Sequence, residues 1–206
     1  MATKKTGTDR SSRTKAASKK AASKEVASKK AASKKAPPKR QPLTDAEMQE
    51  IVELLEELGI PAGVRPESET EYRRVMAYHE AGHAVVGHVL GRTLQLVSAM
   101  QHCAFDLVLN PSTPDVENSI KIGLAGPYAE ARASTQGGSV GAGGDLPGAR
   151  EEAKVIAGTR WKDRIVLLSA DSESLVNEHW RRIEMVARRL LKSPEAVRKD
   201  ELLTLV

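Results

Sequence analysis

Residues 77–86 read Ala77-Tyr78-His79-Glu80-Ala81-Gly82-His83-Ala84-Val85-Val86. Everything between the two histidines and after them is uncharged except Glu80. Upstream, Ser68-Glu69-Thr70-Glu71 has the form of a capping box, and Gly91 follows Leu90 as a stop. The spacing therefore predicts a helix over about 70–90, apolar enough along 81–86 to be buried. On a helix, positions i and i+4 lie about 40° apart around the axis, so both imidazoles project from one face. That separation suits two ligands of one tetrahedral zinc. Glu80 lies about 60° beyond His83, within reach of a water on such a metal without ligating it. Gly82 lets a second backbone come close. The pattern H-E-x-x-H, placed on a helix, is the arrangement of metal-assisted hydrolysis, in which zinc lowers the pKa of its water to about 7 and a carboxylate takes the proton. The opposing reading is a pair of core or surface histidines that share this spacing by chance.

Outward from this segment, the chain divides by charge. Residues 1–42 carry 14 Lys and Arg against two Asp and Glu, while residues 43–206 carry 18 against 25. The basic half repeats Ala-Ala-Ser-Lys-Lys with small variations, and its only apolar residues besides alanine are Met1 and Val26. It cannot bury enough surface to offset its ordering entropy, and its charges repel. A disordered tail over 1–42, ending in a stiff spacer at Pro37, Pro38 and Pro42, is the expectation. An ordered domain over 43–206 follows.

Within 43–206, Thr44-Asp45-Ala46-Glu47 forms another capping box. It opens a helix carrying Ile51, Leu54, Leu55 and Leu58 and ending at Gly59 and Pro61. Leu94–Met100 and Ala104–Leu109 read as strands. Asn110–Pro114 reads as a turn, followed by a helix over about 115–133 interrupted at Gly126-Pro127. Gln136–Gly144 holds five glycines in nine residues and reads as a flexible loop. Helices are expected over 145–158 and 171–192, with a last short one from Ser193-Pro194 through Leu202, Leu203 and Leu205. The fold class is α+β, mostly helical, with a small sheet.

Cysteine use and hydropathy narrow the setting. Cys103 is the single cysteine, so no internal disulfide forms. Its neighbours Ala104 and Phe105 suggest a buried small residue. No apolar run reaches the ~18 residues of a membrane span, and the N-terminus has no apolar core of a secretory signal. A cytoplasmic protein with no membrane association is the expectation.

A catalytic zinc needs a third protein ligand and an open fourth position. His88 lies about 140° around the helix from His83 and faces away. His179 sits among charged residues and is expected to be exposed. His102 and Asp106 stand in the strand region. Asp145 follows the glycine loop at the start of a helix, where it serves equally as a ligand or as a plain N-cap.

The run AYHEAGHAVVGH, residues 77–88, resembles the protease domain of the FtsH group, the membrane-bound AAA zinc proteases. Leu124-Ala125-Gly126-Pro127-Tyr128-Ala129-Glu130 is similar to that family's "aGraAEe" segment. Gly141-Ala142-Gly143-Gly144-Asp145-Leu146 is similar to its "GasnDl" segment, whose Asp is the third zinc ligand. The resemblance spans about 70–206. It implies a zincin-like metallopeptidase domain with zinc on His79, His83 and Asp145, Glu80 as catalytic base, and Glu130 facing the site to orient a ligating histidine. It implies a protein or peptide substrate, and an oligomer by analogy with the family's hexameric rings. Two departures stand out: Pro127 replaces a basic residue, and Gly144 replaces a frequent Asn. No G-x-x-x-x-G-K-[ST] loop occurs, so ATP-driven degradation does not carry over. The activity implied is an ATP-independent zinc metalloendopeptidase acting on unfolded or flexible proteins, its substrate pairing as a strand with the 94–109 sheet. The rival is a non-catalytic protein that uses the scaffold for binding nucleic acid or protein.

The tail resembles those of linker histones. Lys15, Lys19, Lys20, Lys29, Lys30, Lys34 and Lys35 would neutralise phosphates of DNA or RNA without reading sequence. With no aromatics there, base stacking is not expected. A solvated arm, a contact for acidic proteins and an organelle-targeting segment stay open beside it. Removing residues 1–42 is expected to abolish salt-sensitive DNA binding and leave hydrolysis intact. Gel-shift titrations at rising salt check this, and unchanged binding after truncation counts against a nucleic-acid role.

Overall fold

Thr44 begins the first ordered helix as its capping box requires. Its hydroxyl accepts from the Glu47 N–H, and the Glu47 carboxylate accepts from the Thr44 N–H at 3.0 Å. The resulting α1 spans Asp45–Glu57 and buries Ile51, Leu54 and Leu55. Gly59, at φ +67°, stops it: the Ile60 N–H returns to the Leu55 carbonyl and that of Gly59 to Glu56. The computed structural model describes residues 44–60, 63–99, 102–192, 196–202 and 204–205. The tail expected over 1–42, its lysines included, lies outside them.

Helix α2 spans Glu69–Val89 and is the centre of the domain. Ser68 caps it by accepting from the Glu71 N–H, but the expected box is only half present. The Glu71 carboxylate turns instead to Arg74, whose guanidinium continues to the Ala133 carbonyl at 2.7 Å. Residues 79–87 are buried on every side, as expected of a helix enclosed by others. Gly91, at φ +78°, ends it in the same way as Gly59 ends α1.

Antiparallel strands β1 (Leu94–Val97) and β2 (Cys103–Phe105) follow, pairing Leu94 with Phe105 and Val97 with Cys103, with an irregularity between Leu94 and Leu96. Both are shorter than the sequence suggests. A further strand, β3 (Val197–Arg198), pairs antiparallel with β1 and was not expected; the order is β2-β1-β3. A short α7 follows at Lys199–Leu202. The expected start of a final helix at Ser193-Pro194 falls outside the described residues.

Helix α3 runs Thr113–Ala133 from a Ser112–Asp115 capping box, so the expected turn ends two residues early. It is not interrupted at Gly126-Pro127. Proline removes one helical hydrogen bond and crowds the preceding turn, but Gly126 and Pro127 are both buried, and packing on α2 holds the axis through them. Helix α4 spans Ala142–Ala157 and begins inside the expected glycine loop. A 3-10 turn at Gly158–Arg160 leads into α5 (Trp161–Glu178), and α6 (Trp180–Lys192) follows at once. The single helix expected over 171–192 is thus two, jointed at His179, whose carbonyl accepts from both Arg182 and Ile183 N–H. Among the described residues no helix is long and apolar enough to cross a membrane.

What positions the site is the contact of α2 with α3. A Cβ built on Gly82 would lie 2.6 Å from the Ala125 carbonyl oxygen and 2.7 Å from the Ala129 Cβ. The two helices touch through this missing side chain. Gly82→Ala is therefore expected to destabilise the domain. Overpacking costs about 1–3 kcal/mol, only partly offset by alanine's better helix propensity of about 1 kcal/mol. Thermal unfolding checks it, with a lowered Tm as the expected result.

Candidate metal centre

Four carriers bring the site together. Helix α2 supplies His79, Glu80 and His83 one turn apart, α3 supplies Glu130 and the Ile122 carbonyl, and α4 supplies Asp145 from its first turn. The segment Ser139–Gly141 ties α3 to α4. The N-cap of α4 is Gly141, so Asp145 is not the N-cap that its position at a helix start allowed.

The histidine tautomers follow from their outer nitrogens. His83 Nδ1 lies 2.7 Å from the Ile122 carbonyl oxygen, which only accepts, so Nδ1 carries a hydrogen. His79 Nδ1 lies 2.9 Å from Glu130 Oε2 and donates to that carboxylate. Both Nε2 lone pairs therefore point inward, and they face each other at 3.0 Å. Asp145 Oδ2 stands 2.9 Å from His79 Nε2 and 3.4 Å from His83 Nε2. Two lone pairs and a carboxylate oxygen converging on one point repel one another unless a proton or a metal cation sits between them. Ligand atoms held about 2.1 Å from a tetrahedral ion lie about 3.4 Å apart, close to these three separations. Asp145 Oδ2 and Glu80 Oε2 are moreover buried without a hydrogen-bond partner among the described residues. His79, His83 and Asp145 form a buried group that could hold a metal ion.

The electrostatics agree. Burial disfavours a charged imidazole at His79, yet the carboxylates of Asp145 and Glu130 push its pKa up to about 10. A field that holds a proton there so firmly favours any cation. Burial raises the Asp145 carboxyl, but His83 and His79 outweigh it and hold the group well below the usual range. Glu130 is likewise buried and still kept low by His79, the Ser139 hydroxyl and the Val140 N–H. Glu80 shifts the other way: burial raises its carboxyl, and the two histidines only partly oppose this.

Glu130, 1 % exposed, is the hub of the support. Besides His79 it accepts from the Ser139 hydroxyl at 2.6 Å, the Val140 N–H at 2.6 Å and the Gly141 N–H at 3.0 Å. The Ser139 hydroxyl in turn accepts from the Ala142 N–H, capping the start of α4. This part of the glycine-rich stretch is pinned, against the expectation of a flexible loop. Two glycines make room: a Cβ on Gly126 would lie 2.4 Å from His83 Nε2, and one on Gly141 would lie 2.3 Å from His79 Cε1.

The group opens into a cleft of about 430 Å³, lined also by Met76, His102, Cys103, Phe105, Ile122 and Gly123. Cys103 is half-buried rather than enclosed, and burial pushes its thiol up, so it stays protonated. His102 reaches the cleft but lies outside the three-ligand group. Asp106 does not line the cleft; it accepts from Gln95 at the surface. His88 does not line it either, and His179 is half-buried at the end of α5 rather than exposed. The sequence reading missed Ser139, the Ile122 carbonyl and the roles of Gly126 and Gly141. Only the small residues flanking the two downstream segments hinted at them.

No protein-family model matches the chain, and no curated protein matches it either.

Glu130→Gln removes the charge that orients His79 and fixes its tautomer. Metal affinity is expected to fall about 10–100-fold with the helical content unchanged. Competition against a chromogenic chelator, beside circular dichroism, measures both.

Proposed function

We propose that the chain is a zinc-dependent metalloendopeptidase, a zincin-like domain of the FtsH protease type, acting on unfolded or flexible proteins. The observation that carries this reading is Glu80. Its buried, unpartnered Oε2 stands in the same open cleft as the His-His-Asp group. A structural metal site is closed by protein ligands, whereas a catalytic one keeps three and leaves a position open. A scaffold that only bound partners would have no use for a buried carboxylate without a partner, which costs free energy to maintain.

A zinc ion on His79, His83 and Asp145 would supply Lewis acidity toward the scissile carbonyl and ease the loss of a proton from water. The chain's own groups then do the following. Glu80, its pKa raised by burial, takes the proton from the attacking water at Oε2. It later delivers that proton to the departing amine nitrogen. Glu130 and the Ile122 carbonyl hold the two imidazoles in the tautomer that presents Nε2 to the ion. Among the described residues strand β2 has one edge unpaired in the sheet order, and its Cys103 and Phe105 line the cleft. An extended peptide adding to that edge would pass the site. Met76, Phe105 and Ile122 give it apolar walls.

Glu80→Gln tests the reading. The variant is expected to retain stoichiometric zinc and lose chelator-sensitive cleavage of casein by at least about 100-fold. Metal analysis of the purified proteins and a casein digestion assay are the two measurements. Full activity in the variant removes Glu80 from the mechanism, and absence of zinc from the wild type removes the peptidase.

A further inference from the structure

The cleft holds one more group that the reaction requires and the zinc-ligand set does not use. When water attacks a peptide carbonyl, a carbon–oxygen bond forms and the π pair moves onto the carbonyl oxygen, which becomes an oxyanion. When the intermediate collapses, that pair re-forms the carbonyl, and the carbon–nitrogen bond breaks with its electrons and a proton going to nitrogen. A donor aimed at the oxyanion accelerates both steps and exchanges no proton itself.

His102 meets this description. It immediately precedes β2 and lines the same cavity as Glu80, His79 and His83. Its backbone is fixed at the mouth of the hairpin, where the His102 carbonyl accepts from the Ser98 N–H at 3.2 Å. Its side chain is exposed, and among the described residues the imidazole makes no hydrogen bond or ion pair. It is not one of the ligands: the His-His-Asp group closes without it. Of the other side chains that line the cleft outside the metal group, Ser119 commits its hydroxyl to Glu152 at 2.8 Å, leaving Cys103 beside the apolar Phe105, Ile122 and Met76. Phe105 and Met76 carry no N–H or O–H donor in their side chains, and a thiol is a weak one.

Resting on the peptidase reading, we propose that His102 is the oxyanion-stabilising residue, donating a hydrogen bond from its ring to the carbonyl oxygen of the scissile peptide as negative charge develops there. The donor comes from the hairpin just before β2 and Glu80 from α2, so the base at the water and the donor at the oxygen are carried by different elements lining one cleft.

The test compares wild type, His102→Ala, His102→Gln and Glu80→Gln, all zinc-loaded, on a fluorogenic peptide spanning a casein cleavage site. Calorimetric binding of a phosphonamidate version of that peptide supplies a readout besides turnover. His102→Ala is expected to lower kcat by about 100-fold, leave KM within about twofold and keep full zinc content. The affinity for the tetrahedral phosphonamidate should fall in step with kcat/KM. His102→Gln, which keeps an N–H, should recover part of both. A His102→Ala enzyme with unchanged kcat, or one that loses only KM, overturns the proposal while leaving the peptidase standing. A wild type that neither cleaves nor binds the analogue overturns both. Because His102 is exposed, a folding defect is not expected, and circular dichroism of both variants confirms that the comparison is fair.

Discussion

Two imidazole Nε2 atoms at 3.0 Å, each with its Nδ1 already committed, form the contact on which the rest of the structure depends. Left to themselves, two acceptors and a carboxylate oxygen would drift apart. They stay together because α2 fixes the histidines one turn apart, α3 grips both rings from behind, and the first turn of α4 brings Asp145 across. A cation bound among them would relieve the strain of that convergence. Binding one to the folded form alone would raise the stability of the whole domain by mass action, so holding a metal and holding the fold would be coupled.

The support behind the rings is an unbroken relay from core to surface of the site. Glu130 faces His79 with one oxygen and the Val140 amide with the other, while Ser139 passes the connection on to the first turn of α4. The Gly63 amide, from the segment after α1, closes on the Ser139 carbonyl from the far side. A buried carboxylate accepting four hydrogen bonds is fully satisfied, and such networks fix one arrangement because any partial loss leaves a costly orphan. Asp145 thus depends on a residue fifteen positions earlier that never touches it.

The sequence made some of this legible and hid the rest for physical reasons. Local signals survived: the capping box at Thr44, the cap at Ser68, the stops at Gly59 and Gly91, and the helical spacing of His79 and His83. Asp145 was legible in the chain only as an even choice between a ligand and an N-cap, and Glu130 only through the family resemblance, because nothing in spacing brings together residues so far apart in the chain. Pro127 and the glycines of 141–144 misled for one reason. Their intrinsic preference argues for a break and a loop, but packing on α2 and the capping by Ser139 override it. The helix at Trp161 went unread although Trp161, Ile165 and Leu168 keep helical spacing and are buried. The division at His179 was invisible because apolar periodicity runs through it. Strand β3, two residues long, lies below the length at which alternation means anything.

Pro127 has one effect that reaches beyond its own position. Lacking an N–H, it leaves the main-chain oxygen of Gly123, one turn earlier, without its helical donor. Gly123 borders the cleft. The helix wall beside the cleft thus lacks one backbone hydrogen bond, at a place set by the path of the helix and not by any rotamer. The hydrogen bonding of that wall is in this way set by an amino acid that does not line the cleft.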